Sequence, residues 1–387
     1  NRAIELLELG AATDPAVQRV LSQTIVARSY FYYLAIDNFG DVAFPRTFTG
    51  ADEFPSRTPR AEVFNAIVQD IKDNIEFLPN PTAGVSSSSI NKGTAYALLA
   101  KLYLNAEVYT GTPMWQETID ACDMVMSFGY TLEADPRTPF LSENASTKEN
   151  IYTVPYDEDT FTGFNLHMRT LNYQNQLTFG MGIQPWNGFA TLEDHFNTFT
   201  SNDSRRYALL EGQQFDINGI ALTDADADGA NVVLTPNIPA LLMPATTFSK
   251  QQIRMSGVRV VKWEIPVGAR ENLSTDFPIF RLADFMLMKA EAQVRLSGPG
   301  AGDALVNEIK GRSNAPITGG YNLDDILAER GREMMWEGHR RQDLIRFGKF
   351  QNQWWEKTNT DPTRKLFPIP QFAINANDNL LPQNEGY

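Results

Sequence analysis

A single cysteine, Cys122, rules out any disulfide within the chain. It falls on the helical stripe Trp115-Ile119-Cys122-Met126, which predicts plain core packing. Histidine is scarce too: His167, His195 and His339 are far apart, with neither HExxH nor CxxC spacing, which argues against zinc. No stretch approaches the roughly 18 uninterrupted apolar residues of a membrane span. Positive charge is short: a net charge of −14 argues against a nucleic-acid partner, because a phosphate backbone rewards an excess of Lys and Arg. A G-x-S-x-G elbow, a P-loop and a G-x-G-x-x-G fingerprint are all missing. The chain opens at Asn1 inside an apolar-periodic run, "AIELLEL", and reads as a processed or trimmed chain whose targeting segment lies out of view.

What is present is mostly helical. "DPAVQRVLSQTIVARSYFYYLAIDNFG" begins with Asp14 as N-cap and Pro15 at the first helical position, and Gly40 closes it. Its expected buried stripe is Val20-Thr24-Ala27-Phe31-Leu34. In "TPRAEVFNAIVQDIKDNIEFLP" Thr58 is the expected cap, Pro59 the first helical residue and Pro79 the stop. "INKGTAYALLAKLYLNAEVYTG" and "PMWQETIDACDMVMSFG" read as a helical hairpin burying Ala95, Leu98, Leu99, Leu102 and Ala106. The plan recurs in "FRLADFMLMKAEAQVRLSG", which should bury Phe285, Met288, Ala292 and Leu296, followed by "DALVNEIKGRSN". These Ala-rich arms and Gly-bearing turns resemble irregular tetratricopeptide-type helix pairs. The expected fold is mainly α, a tetratricopeptide-like helical-hairpin scaffold with a loop-rich, partly β middle. Residues 1–129 and 278–387 would form the scaffold, and 130–277 an irregular ligand-binding region.

Within that middle, residues 161–199 hold eight aromatics: Phe161, Phe164, Tyr173, Phe179, Trp186, Phe189, Phe196 and Phe199. Asn172, Gln174, Asn175, Gln176 and Asn187 interleave with them. Sugar rings present C–H faces that lie against aromatic planes, and hydroxyl pairs that amides bridge, so the pattern suits a neutral glycan. Burial that anchors loops competes for the same aromatics. Trp186, Asn187 and Tyr173 are the predicted ligand-binding residues.

Two acidic features compete for attention. In "LTDADADGAN", Asp224, Asp226 and Asp228 alternate ahead of Gly229, like the front half of an EF-hand-type loop, and predict calcium. The twelfth loop position is Thr235 instead of the bidentate Glu, so an ion-free acidic turn is the plainer reading and calcium the alternative. Glu193/Asp194 and Asp157/Glu158/Asp159 could serve a glycosidase, but no spacing singles out an acid and a nucleophile.

Charge is densest in "REMMWEGHRRQDLIRFGKF", Arg332 to Phe350. Apolar or small residues at Leu327, Gly331, Met334, Met335, Gly338 and Ile345 predict one helix with two interior glycines, where another backbone comes close. Glu337 with Arg341, and His339 with Asp343, have i,i+4 spacing. The expected role is structural.

"RGREMMWEGHRRQDLIRFGKF" also resembles the closing helix of the SusD/RagB family, approximately R-x-x-E-φ-x-x-E-G-x-R-x-x-D-L-x-R-x-G. Glu333, Glu337, Gly338, Arg340, Asp343, Leu344, Arg346 and Gly348 match it, with Arg330 or Arg332 in the first basic position. "FPIPQFAINANDNLLPQNEGY", "PIFRLADFMLMKAEAQ", "DNFGDVAF" and "QPWNGFATLEDHFNTF" resemble further signatures of the family, with Ala373 where an acid is usual. The resemblance implies a non-catalytic, surface-exposed, lipid-anchored lipoprotein of the outer membrane. Such a protein captures oligosaccharides as a lid on a SusC-like TonB-dependent transporter and hands them on. The family's lipid-anchor Cys has no counterpart here, so membrane attachment is implied by the family alone. A glycoside hydrolase, or a transporter cover with no ligand site, are the competing functions.

Overall fold

The computed structural model describes residues 1–48, 54–82, 85–239 and 247–387. The N-terminal block holds α1 (Arg2–Ala11), α2 (Pro15–Phe39), α3 (Arg60–Asn74), α4 (Lys92–Leu104), α5 (Ala106–Thr110) and α6 (Trp115–Ser127). The middle contributes only short helices: α7 (Leu166–Thr170), α8 (Asn175–Thr178), α9 (Glu193–Phe196) and α10 (Lys250–Met255). The C-terminal block adds α11 (Leu282–Ser297), α12 (Asp303–Arg312), α13 (Leu323–Glu333), α14 (Arg340–Arg346) and α15 (Gln371–Ala376).

Helix α2 starts as its sequence predicts. The Asp14 carboxylate accepts from Ala16 N at 2.8 Å, Pro15 follows, and Gly40 ends the helix at φ 74°. Its buried face differs from the expected one, however. Leu21, Val26, Tyr33 and Ile36 point inward, whereas Val20 and Phe31 are exposed, Phe31 at 68 %. Apolar residues, Val20, Leu21, Val26, Phe31 and Tyr33 among them, fall all round α2, so its periodicity is weak and packing decides the face. Helix α3 also departs in detail, since Pro59 is its N-cap and Thr58 pairs with Val42 in a two-residue strand.

Helices α2 and α3, α4 and α6, and α11 and α12 pack as hairpins, and α11 also lies against α6 and α13. This tetratricopeptide-like scaffold encloses the main core. Ala95, Leu98, Leu99, Leu102 and Ala106 are buried there as expected, with Cys122 and with Phe285, Met288 and Ala292. Leu296 is half exposed near the end of α11, contrary to expectation.

Strand Asn150–Val154 pairs antiparallel with Phe277–Arg281 and ties both ends of the middle stretch to the scaffold. Between them, among the described residues, the strands are two-residue ribbons, such as Leu209–Leu210 on Arg259–Val260. Small separate cores stabilise it. Phe140, Phe164, Met168, Leu171 and Trp263 make one, and Phe196, Phe199, Val258 and Val260 another. Among the described residues, no helix is long and apolar enough to cross a membrane.

Candidate functional site

The charge-dense segment 332–350 is two helices, not one. α13 ends at Glu333 and α14 begins at Arg340, and between them Trp336 and Gly338 adopt φ 64° and 86°. Glu337 and His339 therefore lie outside a helix, and neither expected i,i+4 pair forms. Glu337 instead accepts from Lys262 Nζ at 2.5 Å and from Arg281 Nε at 2.6 Å, while Arg341 reaches Asp37 at 2.8 Å.

The motifs on α11 and on α13–α14 interlock charge by charge. Arg281 bridges Glu149, Glu333 and Glu337, Asp284 meets Lys101 and Arg330, and Glu291 meets Arg346. Arg330 also holds Asp343 at 3.0 Å, so it is the buried basic residue of the motif, and Arg332 turns to Glu329. Burial alone would push the Glu333 carboxyl up, but Arg312, Arg281, Arg205 and Lys262 hold it well below the usual range. Burial lowers Lys262 to about 8 even beside Glu337. Each of these acids thus faces at least one base, as a structural charge network requires.

The aromatic stretch behaves differently. Residues 186–189 form a ledge along the end of α7: Trp186 N donates to Met168 O at 2.7 Å, and Gly188 N and Phe189 N both donate to Arg169 O at 2.8 Å. Trp186 is 42 % exposed and Phe189 54 %, while Phe164, Phe196 and Phe199 are buried anchors. The Arg169 guanidinium lies 5.5 Å from the Trp186 ring centre.

Asn187 sits at φ 54°. Its Nδ2 donates to the Arg254 carbonyl at 3.1 Å, and its Oδ1 accepts from Arg259 Nη2 at 2.7 Å and Nε at 3.2 Å. Its amide is therefore largely engaged in shaping the ledge, with one Nδ2 hydrogen left over for an outside acceptor. Asn172 and Asn175 are buried and fold the loop in the same way, Asn172 Nδ2 also reaching Arg254 O, at 2.7 Å. Tyr173 carries the Arg254 guanidinium 4.4 Å above its ring, which covers one face.

Arg254 also organises the aspartate turn. Its Nε donates to Asp224 at 2.6 Å, and its Nη2 lies 3.3 Å from Asp226, while Asp228 pairs with Lys250 at 2.8 Å. The three carboxylates thus face two cations and do not converge. Among the described residues, no group of three His, Cys, Asp or Glu side chains is arranged to hold a metal ion. The arrangement does not fit a calcium loop. Of the carboxylates that a hydrolase would draw on, Glu158 and Asp159 pair with Arg270, and Glu193 and Asp194 are exposed on α9.

A cleft of about 440 Å³ adjoins the ledge, lined by Asn187, Phe189, Phe248, Ile253, Arg259 and Trp355 among others. Gly257, at φ 85°, lets this wall close, since a Cβ there would fall 2.4 Å from the Ala190 methyl. Sequence reading singled out neither Arg254, Arg259 nor Trp355. An adjacent Trp354-Trp355 pair outside any periodic run was the available signal, and both rings are exposed.

Comparison with known proteins agrees with this architecture. Residues 149–387 match the SusD family, and residues 1–104 match a family described as "starch-binding associating with outer membrane". The chain belongs to the SusD family. It is 25 % identical over 414 residues to the starch-binding protein SusD of Bacteroides thetaiotaomicron, covering 97 % of this chain and 74 % of that protein. A solved laminarin-binding SusD-like protein superposes with a TM-score of 0.76 at 21 % identity, over all of this chain and 83 % of its own. Surface glycan-binding protein A from Bacteroides thetaiotaomicron, solved with laminarihexaose, superposes with a TM-score of 0.74 at 19 % identity, over 96 % of this chain and 79 % of its own.

Proposed function

We propose that the protein is a non-catalytic glycan-binding protein of the bacterial cell surface. It captures oligosaccharides and passes them to a SusC-like TonB-dependent transporter in the outer membrane, to which it is held by a lipid anchor. The observation that carries the reading is the exposed aromatic ledge, Trp186 and Phe189, beside a preformed cleft whose lining includes Trp355. Flat rings that are solvated in the free protein and fixed by backbone hydrogen bonds stack on sugar faces with little ordering cost. Its relatives' names support the same ligand class, since they bind starch and laminarin.

Titration calorimetry against an oligosaccharide panel, with chromatography of each mixture after incubation, tests this. Saturable binding with unchanged sugars is expected. Released products would replace the reading with a hydrolase, and failure of every sugar to bind would leave a transporter cover. Co-purification with a TonB-dependent partner from native membranes tests the delivery step.

A further inference from the structure

Arg259 stands apart from the other buried cations. It is 2 % exposed, and no carboxylate lies within 4 Å of it among the described residues. All five of its N–H groups go to neutral acceptors: Asn187 Oδ1 twice, and the carbonyls of Ser256, Gly257 and Arg254. The knot beneath α13 gives each of its arginines at least one carboxylate, in a chain with a large acidic excess. Burial lowers Arg259 to about 10, so it stays charged at neutral pH. A cation held only by neutral dipoles, at the wall of a partly desolvated cleft, leaves an attractive field there that little screens. Arg169, at the outer end of the ledge, is a second guanidinium with no carboxylate within 4 Å among the described residues.

We infer that the cleft beside Asn187 and Trp355 takes an acidic sugar, a carboxylated or sulfated residue whose anion faces Arg259 while its ring lies against Trp355 or Phe189. The inference rests on the glycan-binding reading but replaces the neutral glycan that the aromatic–amide pattern suits with an acidic one. Because the Arg259 fork is fully used, its contribution is charge at short range and not a bidentate grip. Glu193 and Asp194, exposed on neighbouring α9, form no ion pair with either guanidinium, so the net field at the cleft is what the experiment reads.

The test uses the whole chain, with oligogalacturonate and oligomannuronate against the same sugars as methyl esters, and neutral gluco-oligosaccharides as a third arm. The acid forms should bind at least tenfold more tightly than their esters. That preference should shrink to less than threefold between 50 and 500 mM NaCl. Arg259→Gln should abolish the preference, and Trp355→Ala should weaken acid and ester alike. Should Arg259→Gln fail to fold, the salt dependence and Arg169→Gln, expected to reduce the preference two- to threefold, decide. Equal affinity for acid and ester overturns the inference while leaving the glycan reading intact. A preference that survives in folded Arg259→Gln overturns the role of Arg259. No binding of the acid forms overturns the inference as well, and the wider oligosaccharide panel then decides the glycan reading.

Discussion

The knot between α11 and α13–α14 and the ledge at residues 186–189 are both rich in Arg and aromatic residues, yet they are built on opposite terms. In the knot, Arg281, Arg330 and Arg346 are buried against Glu149, Glu333, Glu337, Asp284, Glu291 and Asp343. At the ledge, the aromatic faces are solvated and Arg259 has only neutral partners. Charge that is fully matched stabilises a fold and resists change, because removing either partner strands the other in a low-dielectric interior. Exposed rings and an unmatched cation leave interaction energy for something outside the chain. The density of charged residues in the sequence thus marks the scaffold, and the sparser ledge is the surface proposed to meet a ligand.

The sharpest way to break this contrast is Arg281→Ala. It leaves Glu149, Glu333 and Glu337 short of their shared partner, and should cost about 3–5 kcal/mol in urea unfolding, or prevent folding. A loss under 1 kcal/mol would mean that the knot is no more structural than the ledge.

Acid should weaken the fold as well. Burial first, and then Lys101, lower His339 to about 4, while burial and then Arg340 lower His195 to about 4. Between pH 4 and the ordinary 6.5 the unfolded chain therefore binds more protons, so stability rises with pH across that window and is lost on acidification. Each histidine accounts for roughly 2–3 kcal/mol. Unfolding free energies at pH 6.5, 5.5 and 4.5 should show the decline, to which buried His167 adds in the same direction, and His339→Asn should make its slope shallower. A flat profile would contradict the burial of both rings.

At the ledge the expected response is in binding and not in stability. Trp186→Ala should weaken oligosaccharide affinity roughly tenfold, or about 1.4 kcal/mol, with unfolding changed by less than about 1 kcal/mol. Equal losses of stability and affinity would make Trp186 another loop anchor. The smallest effect concerns the aspartate turn. Because Arg254 and Lys250 already face Asp224, Asp226 and Asp228, chelation should leave the melting temperature unchanged and release no calcium, measured by scanning calorimetry and elemental analysis. A chelator-sensitive melt would show that the cations are displaced by a metal.

Much of the scaffold was legible in the sequence because its signals are local. Asp14, Pro15 and Gly40 bound α2 through contacts a few residues long. The Ala-rich arms of α4 and α11 bury nearly the positions their periodicity marks, with Leu296 the exception at a helix end. The family motif was visible because its residues are close in the chain. The ledge was half legible. The exposure of Trp186 follows from no local pattern, the amides of Asn172 and Asn187 turn back to Arg254 O, and one face of Tyr173 is covered.

By itself, the sequence determined that this is a mainly helical chain of SusD type, with hairpin scaffolding and an irregular aromatic middle. Only the tertiary structure decided which face of α2 is buried, where the charge-dense segment breaks at Trp336, and which partners its acids take. It alone set Trp355 at the cleft of the Asn187 ledge. Caps and periodicity act over one or two turns, whereas Arg281 meets a Glu149 that lies 132 positions away. Pairings at such distances depend on how the helices stack, and no local pattern of residues encodes them.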